Sequence, residues 1–129
     1  MAEKIVLADT SILIDFFRKT DKANSKLIAL VRDGYAFSIS AITEYEIYSG
    51  APAAQQDYWL DFLKHTQVLP FDKDVVKVAV DINSALKRKR KQIDIADLFI
   101  AATAVRNKLP FATLNMKHFE RIDNLHIVR

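Results

Sequence analysis

Residues Lys4 to Phe17 read KIVLADTSILIDFF, and this stretch decides the fold. Ile5, Val6, Leu7 and Ala8 form an apolar run without alternation, as in a strand covered on both faces. Asp9, Thr10 and Ser11 follow, and then Ile12, Leu13, Ile14, Phe16 and Phe17, which read as helix. A buried strand passing straight into a helix through a carboxylate is how an open α/β sheet begins. Ligands of such sheets sit outside the carboxyl ends of the strands, where Asp9 would lie. Asp is also a favoured helix cap, so Asp9 alone is equally well explained as the cap of the next helix. The case for chemistry rests on what else converges there.

Strand and helix alternate along the rest of the chain. Asp21 or Asn24 is suited to cap a helix through Leu27, Ile28, Leu30 and Val31, which Asp33-Gly34 ends. Tyr35–Ile39 reads as a second strand. Ser40 and Thr43 open a third helix that closes near Ser49-Gly50. Ala51-Pro52 starts a fourth, carrying Trp59, Leu60, Phe62 and Leu63 at helical spacing. Val68–Phe71 is a short third strand. Asp72 or Asp74 starts a long helix that runs into Lys87-Arg88-Lys89-Arg90-Lys91, and a last helix covers about Ile95 to Asn107. Strand Phe111–Leu114, a turn at Asn115 and a closing strand Leu125–Val128 complete the chain. The expected architecture is a single α/β domain over residues 1–129, a three-layer α/β/α sandwich around a mainly parallel sheet of four or five strands.

Composition narrows the function. The 129 residues suit one domain, and half are apolar, enough for a real core. There is no apolar run of eighteen residues to span a membrane. Met1-Ala2-Glu3-Lys4 leads into the first strand without a signal-peptide pattern. Cysteine is absent, which excludes disulfides, thiolate metal sites and thiol nucleophiles, and fits a cytoplasmic protein. The net charge of +3 suits a polyanionic partner but is too small to argue for one alone.

The acids fall in a pattern. Asp9 follows the first strand, and Glu46 lies one turn into the helix after the second. Asp94 and Asp97 stand at the start of the last long helix, and Asn115 follows the next strand. In a parallel sheet the strand exits gather on one edge, so these groups would meet in one pocket. Carboxylates that close repel one another and call for a cation. All-oxygen ligands favour a hard ion, Mg2+ or Mn2+, held partly through water. Each acid also has a plainer reading. Thr43-x-x-Glu46 is a good capping box, and Asp94 and Asp97 suit the cap and first turn of a helix. His65, His118 and His126 have no partner at metal-motif spacing and read as surface or turn residues. Trp59, with Tyr58 and Phe62, reads as packing or a dimer face. The basic run at 87–91 would ordinarily be a solvated helix end. Its place just before Asp94 makes Arg88, Lys89 and Arg90 candidates to draw in a phosphate backbone.

In order, LADTSILID, SAITEYEIYSG, DIADLFIAATAV and FATLNMKHFERI resemble the PIN-domain ribonucleases, in particular the short VapC toxins of toxin–antitoxin pairs. The resemblance spans nearly the whole chain. Each motif is weak alone; four in order at fitting separations are specific. By this resemblance the family's first acid is Asp9, its helix glutamate is Glu46 in EIYSG, and its third acid is Asp97 in D-x-x-I-A-A. The fourth position falls on Asn115, whose neutral amide suits a metal ion reached directly or through water. Ser11 matches a hydroxyl that helps order the site. Asp94 has no clear family role and is read as a cap or a supporting acid.

The resemblance implies hydrolysis of RNA phosphodiesters with one or two Mg2+ or Mn2+ ions held by Asp9, Glu46 and Asp97. Such an ion polarises the phosphate, activates a water and offsets charge on the leaving oxygen. It also implies a cognate antitoxin as partner and pairing into homodimers, with the apolar fourth helix around Trp59 as a candidate face. A phosphorelay receiver does not fit: the first strand offers one acid instead of a pair, and no final helix follows the last strand. A PIN-fold module that binds RNA or a partner without cutting is the remaining alternative, made plausible by Asn115.

Overall fold

The computed structural model describes residues 4–129. The expectation about the entry into the first strand falls partly on Met1–Glu3, which lie outside the described residues. Strand β1 (Lys4–Ala8) is central. It pairs in parallel with β2 (Tyr35–Ser40) and β4 (Phe111–Ala112), and β2 pairs in parallel with β3 (Gln67–Leu69). The sheet order is β3-β2-β1-β4. Because every pairing is parallel, all four strands end on the same edge.

Helices cover both faces: α1 (Thr10–Arg18), α2 (Lys26–Arg32), α3 (Ala41–Gly50) and α4 (Gln56–Lys64), then α5 (Lys73–Lys89), α6 (Ile95–Arg106) and the short α7 (Met116–Phe119). Alternate residues of β1 point into different cores, as strand geometry requires. Val6 and Ala8 pack with Ile12, Leu13, Leu27, Leu30, Ile47 and Trp59 from α1 to α4. Leu7 packs with Val75, Ile82 and Leu86 of α5, Ile100 of α6, and Phe111 and Phe119. Val6 and Leu7 are fully buried, and each such side chain contributes about 1.5–3 kcal/mol. The three-layer α/β/α architecture is therefore the expected one, with four parallel strands.

Several local expectations change. The closing strand Leu125–Val128 is reduced to an isolated parallel bridge between Phe111 and Ile127. The strand expected over Phe111–Leu114 stops at Ala112, the last residue to pair with β1, and the Thr113 side chain then bonds to Asp9. The expected turn at Asn115 continues into α7, which delivers the fully buried Phe119 onto Phe111 with ring centroids 4.7 Å apart. Neither Asp21 nor Asn24 caps α2. Ser25 does, its hydroxyl accepting from Ile28 N at 3.3 Å, while Asp21 opens a separate 3-10 turn over Lys22–Asn24. The third strand begins a residue earlier and ends before Pro70. A 3-10 turn at Ala53–Gln55 precedes α4, which turns Trp59 and Leu63 inward and leaves Leu60 exposed.

The capping box also fails. Ser40, at the end of β2, is the N-cap of α3 and accepts from Thr43 N at 3.0 Å. Thr43 is thus one turn inside the helix, and its hydroxyl and the Glu46 carboxylate are left to face α1. Asp72 caps α5, accepting from Val75 N at 3.1 Å. Asp74, near the start of α5, pairs with Arg106 at the end of α6, so the two helices run antiparallel. The basic end of α5 consequently lies at the same end of this pair as Asp94 and Asp97.

Candidate active site

The register of the sheet builds the site. Leu7 pairs with Phe111 and Ala8 with Ala112, so the next residues, Asp9 and Thr113, emerge side by side from the carboxyl edge. Asp9 N donates to Ala112 O at 2.9 Å and locks that step. The Asp9 side chain is buried, yet makes no capping bond to α1. Its Oδ2 instead accepts from Ser11 Oγ and from Thr113 Oγ1, each at 2.8 Å. Ser11 Oγ accepts in turn from Leu114 N at 3.1 Å, and Thr113 Oγ1 from Asn115 N at 2.9 Å. A buried carboxylate without such partners would be costly. Both bonds fall on Oδ2, so Oδ1 is the oxygen without a side-chain hydrogen bond.

Glu46 is held from the other side. Thr10 Oγ1 donates to Glu46 Oε1 at 2.7 Å and lies 2.9 Å from the Thr43 hydroxyl. The first helical residue after Asp9 thus ties α1 to α3. Asp97, in the first turn of α6, is part-buried, and its Oδ2 lies 3.7 Å from His118 Nδ1. Burial first, and then the charges of Asp9, Asp94 and Glu46, raise the Asp97 carboxyl above its ordinary value, while His118 opposes the rise. Repulsion between acids far apart in sequence is the electrostatic mark of their convergence.

Asp9, Ser11, Glu46, Asp97 and Asn115 line one open cleft of about 630 Å³. Asp94 is not in its lining; it stands at the N-cap position of α6, makes no side-chain capping bond, and acts on Asp97 through charge. Asp15 also lines the cleft, but its Oδ2 accepts from Lys26 N at 3.0 Å and so joins α1 to α2. Of the basic run, Lys89 is drawn to Asp123, with Nζ 2.9 Å from Oδ2. Arg90 lines a shallow basic depression with Lys91, Lys117 and Arg121. Sequence reasoning missed Thr10, Thr43 and Thr113, whose hydroxyls position the acids, and Arg18 and Lys19, which bring positive charge to the cleft. A Thr directly after Asp9 was visible as a signal; the roles of Thr43 and Thr113 depend on the helix start and the sheet register.

The donor set fits a hard divalent cation: carboxylate and amide oxygens on one cleft, no thiol in the chain, and an acid held above its usual range by burial and then by its acidic neighbours. Among the described residues no three acidic or imidazole side chains stand close enough to enclose an ion directly. Mutual repulsion spreads unneutralised carboxylates, and an ion that keeps several waters needs only one or two of them in direct contact.

Comparisons with known proteins agree with this architecture. The sequence model of the PIN domain family matches residues 6–125. Ribonuclease VapC1 of Methanocaldococcus jannaschii is 35% identical over 121 residues, covering 93% of this chain and 82% of the relative. Ribonuclease VapC10 of Mycobacterium tuberculosis is 29% identical over 121 residues, covering 94% and 90%. Among solved structures, VapBC2 of Rickettsia felis, bound to a promoter DNA fragment, superposes with a TM-score of 0.83 at 25% identity, over 96% of this chain and 97% of the other. DNA-bound VapBC of Salmonella typhimurium does so with a TM-score of 0.80 at 25% identity, over 98% of each chain. Asp9, Glu46 and Asp97 thus stand at the carboxyl edge of a parallel sheet in a chain that belongs to the PIN domain family.

Proposed function

We propose that this PIN domain is an endoribonuclease dependent on Mg2+ or Mn2+, and the toxin of a toxin–antitoxin pair. The observation that carries the reading is the meeting of Asp9, Glu46, Asp97 and Asn115 on one cleft, with Arg18 and Lys19 on the same cleft. The ribonuclease names of its relatives and a toxin–antitoxin complex among its structural neighbours support it. Asp9, Glu46 and Asp97 would hold one or two ions, with Asn115 contributing directly or through water. The bound ion supplies Lewis-acid activation of the phosphate and of water.

The rest of the work falls to the chain itself. Ser11 and Thr113 orient the Asp9 carboxylate, and Thr10 orients Glu46, so two of the acids start from fixed side-chain directions when an ion draws them together. Arg18, Lys19 and the basic end of α5 attract and orient the phosphate backbone. A cognate antitoxin and a second copy of the chain are the protein partners of this reading, and the cytoplasm is its setting. Among the described residues no helix is long and apolar enough to cross a membrane.

The test is cleavage of single-stranded RNA by the purified chain. Activity is expected with Mg2+ or Mn2+, none in EDTA, and a loss on Asp9→Asn. Cleavage undiminished in EDTA, or retained by Asp9→Asn, overturns the metal-nuclease reading. RNA binding without cleavage in any divalent ion leaves a PIN-fold binding module.

A further inference from the structure

A second cavity of about 500 Å³ adjoins the acidic cleft, lined by Lys26 and the segment from Thr113 to His118. Leu114 and Asn115 line both spaces, so the two are neighbours across these residues. The volume falls within the usual range for small-molecule sites. Leu114 is 50% exposed at the junction, an apolar side chain directed away from both cores. Met116 adds a half-buried thioether, and His118 an exposed imidazole whose Nδ1 lies 3.7 Å from Asp97 Oδ2. Lys26 and Lys117 bring positive charge to the same lining.

This combination has a chemical meaning. An apolar, thioether and imidazole surface suits the face of a flat heterocycle, and the lysines suit the phosphates on either side of it. Single-stranded RNA is read in this way, its bases splayed out onto side chains while cations follow the backbone. An acidic peptide laid along the same path would meet the carboxylates of the neighbouring cleft. We infer that the cavity takes the base of the nucleotide next to the phosphate held in the acidic cleft, and that Leu114 and Met116 are specificity-determining residues. The inference rests on the ribonuclease reading for the placing of that phosphate.

The experiment measures binding of a short single-stranded RNA by fluorescence anisotropy with Ca2+ in place of Mg2+, so that the acidic cleft carries a cation while no cleavage is expected. An abasic residue is stepped along the oligonucleotide, and each version is tested on the wild-type chain and on Leu114→Ala/Met116→Ala. At one position the missing base should weaken wild-type binding about fivefold or more, the lower end of base-stacking losses. At that position the same change should cost the variant clearly less, because the base has already lost Leu114 and Met116 and keeps only the His118 imidazole. Thermal melting checks the fold, and Leu114→Ala alone serves if the double variant melts early. Equal losses in both proteins at every position overturn the inference and leave the cavity to a protein partner. No measurable RNA binding overturns both it and the ribonuclease reading. The expected coupling without any cleavage in Mg2+ overturns the ribonuclease reading alone.

Discussion

Thr113 Oγ1 donates to Asp9 Oδ2 across 2.8 Å, although 104 residues separate the two in the chain. The bond exists because β1 and β4 are parallel neighbours that end together, and it couples the site to the sheet register. Thr113 also accepts from Asn115 N, so one hydroxyl orders two of the groups on the cleft.

Thr113→Val keeps the shape and removes that hydroxyl. Hydrogen bonds to charged groups contribute about 1.5–3 kcal/mol, so urea denaturation should show a loss of that order. RNA cleavage should fall as well, since Asp9 and Asn115 are both loosened. A variant as stable and as active as wild type would show the bond to be incidental. Thr10→Val provides the parallel test at Glu46, where activity should fall.

Asp97 sets a pH dependence whose sign follows from its raised carboxyl. The folded protein holds this proton more tightly than the unfolded chain does. Its contribution to stability is therefore complete below the ordinary value of 3.8 and is lost as pH rises through the folded value. In EDTA, Asp97→Asn escapes that loss, so at neutral pH it should melt no lower than wild type. With Mg2+ the order should reverse. Wild type should gain about 2.7 kcal/mol at a hundredfold excess over Kd, and the variant much less. Melting curves with and without Mg2+, at fixed ionic strength, decide the matter. Equal destabilisation of the variant in both conditions would leave Asp97 as a first-turn charge only.

The cations separate by their partners. Arg18 lines the cleft and Arg90 the neighbouring basic depression, whereas Lys89 is engaged with Asp123. For single-stranded RNA, each lost phosphate contact should flatten the dependence of log K on log salt by roughly 0.7. Arg18→Ala and Arg88→Ala/Arg90→Ala should both do so. Lys89→Ala should change the slope least. Its exposed ion pair contributes about 0–1 kcal/mol, so stability should hardly move either. Identical slopes for all these proteins would make the run a solvated helix end.

The α/β order of elements was legible in the sequence because its signals are local. The unbroken apolar run Ile5–Ala8, the helical spacing from Ile12 onward, and the Asp33-Gly34 stop each act within a few residues. The acids could be named because strand exits and first helical turns are places that sequence marks. Apart from Ser11, which the resemblance named, what holds those acids could not be read, because it depends on register. Thr113 matters only because Ala8 pairs with Ala112. Thr43 faces Thr10 only because Ser40, and not Thr43, caps α3. His118 reaches Asp97 only because Phe119 must enter the core, which turns an expected loop into α7. Local chemistry along the chain determined which elements form and which edge carries the acids. Long-range strand pairing and core packing decided which hydroxyl, imidazole and cation would stand beside each of them, because those contacts join residues whose separation along the chain encodes no distance.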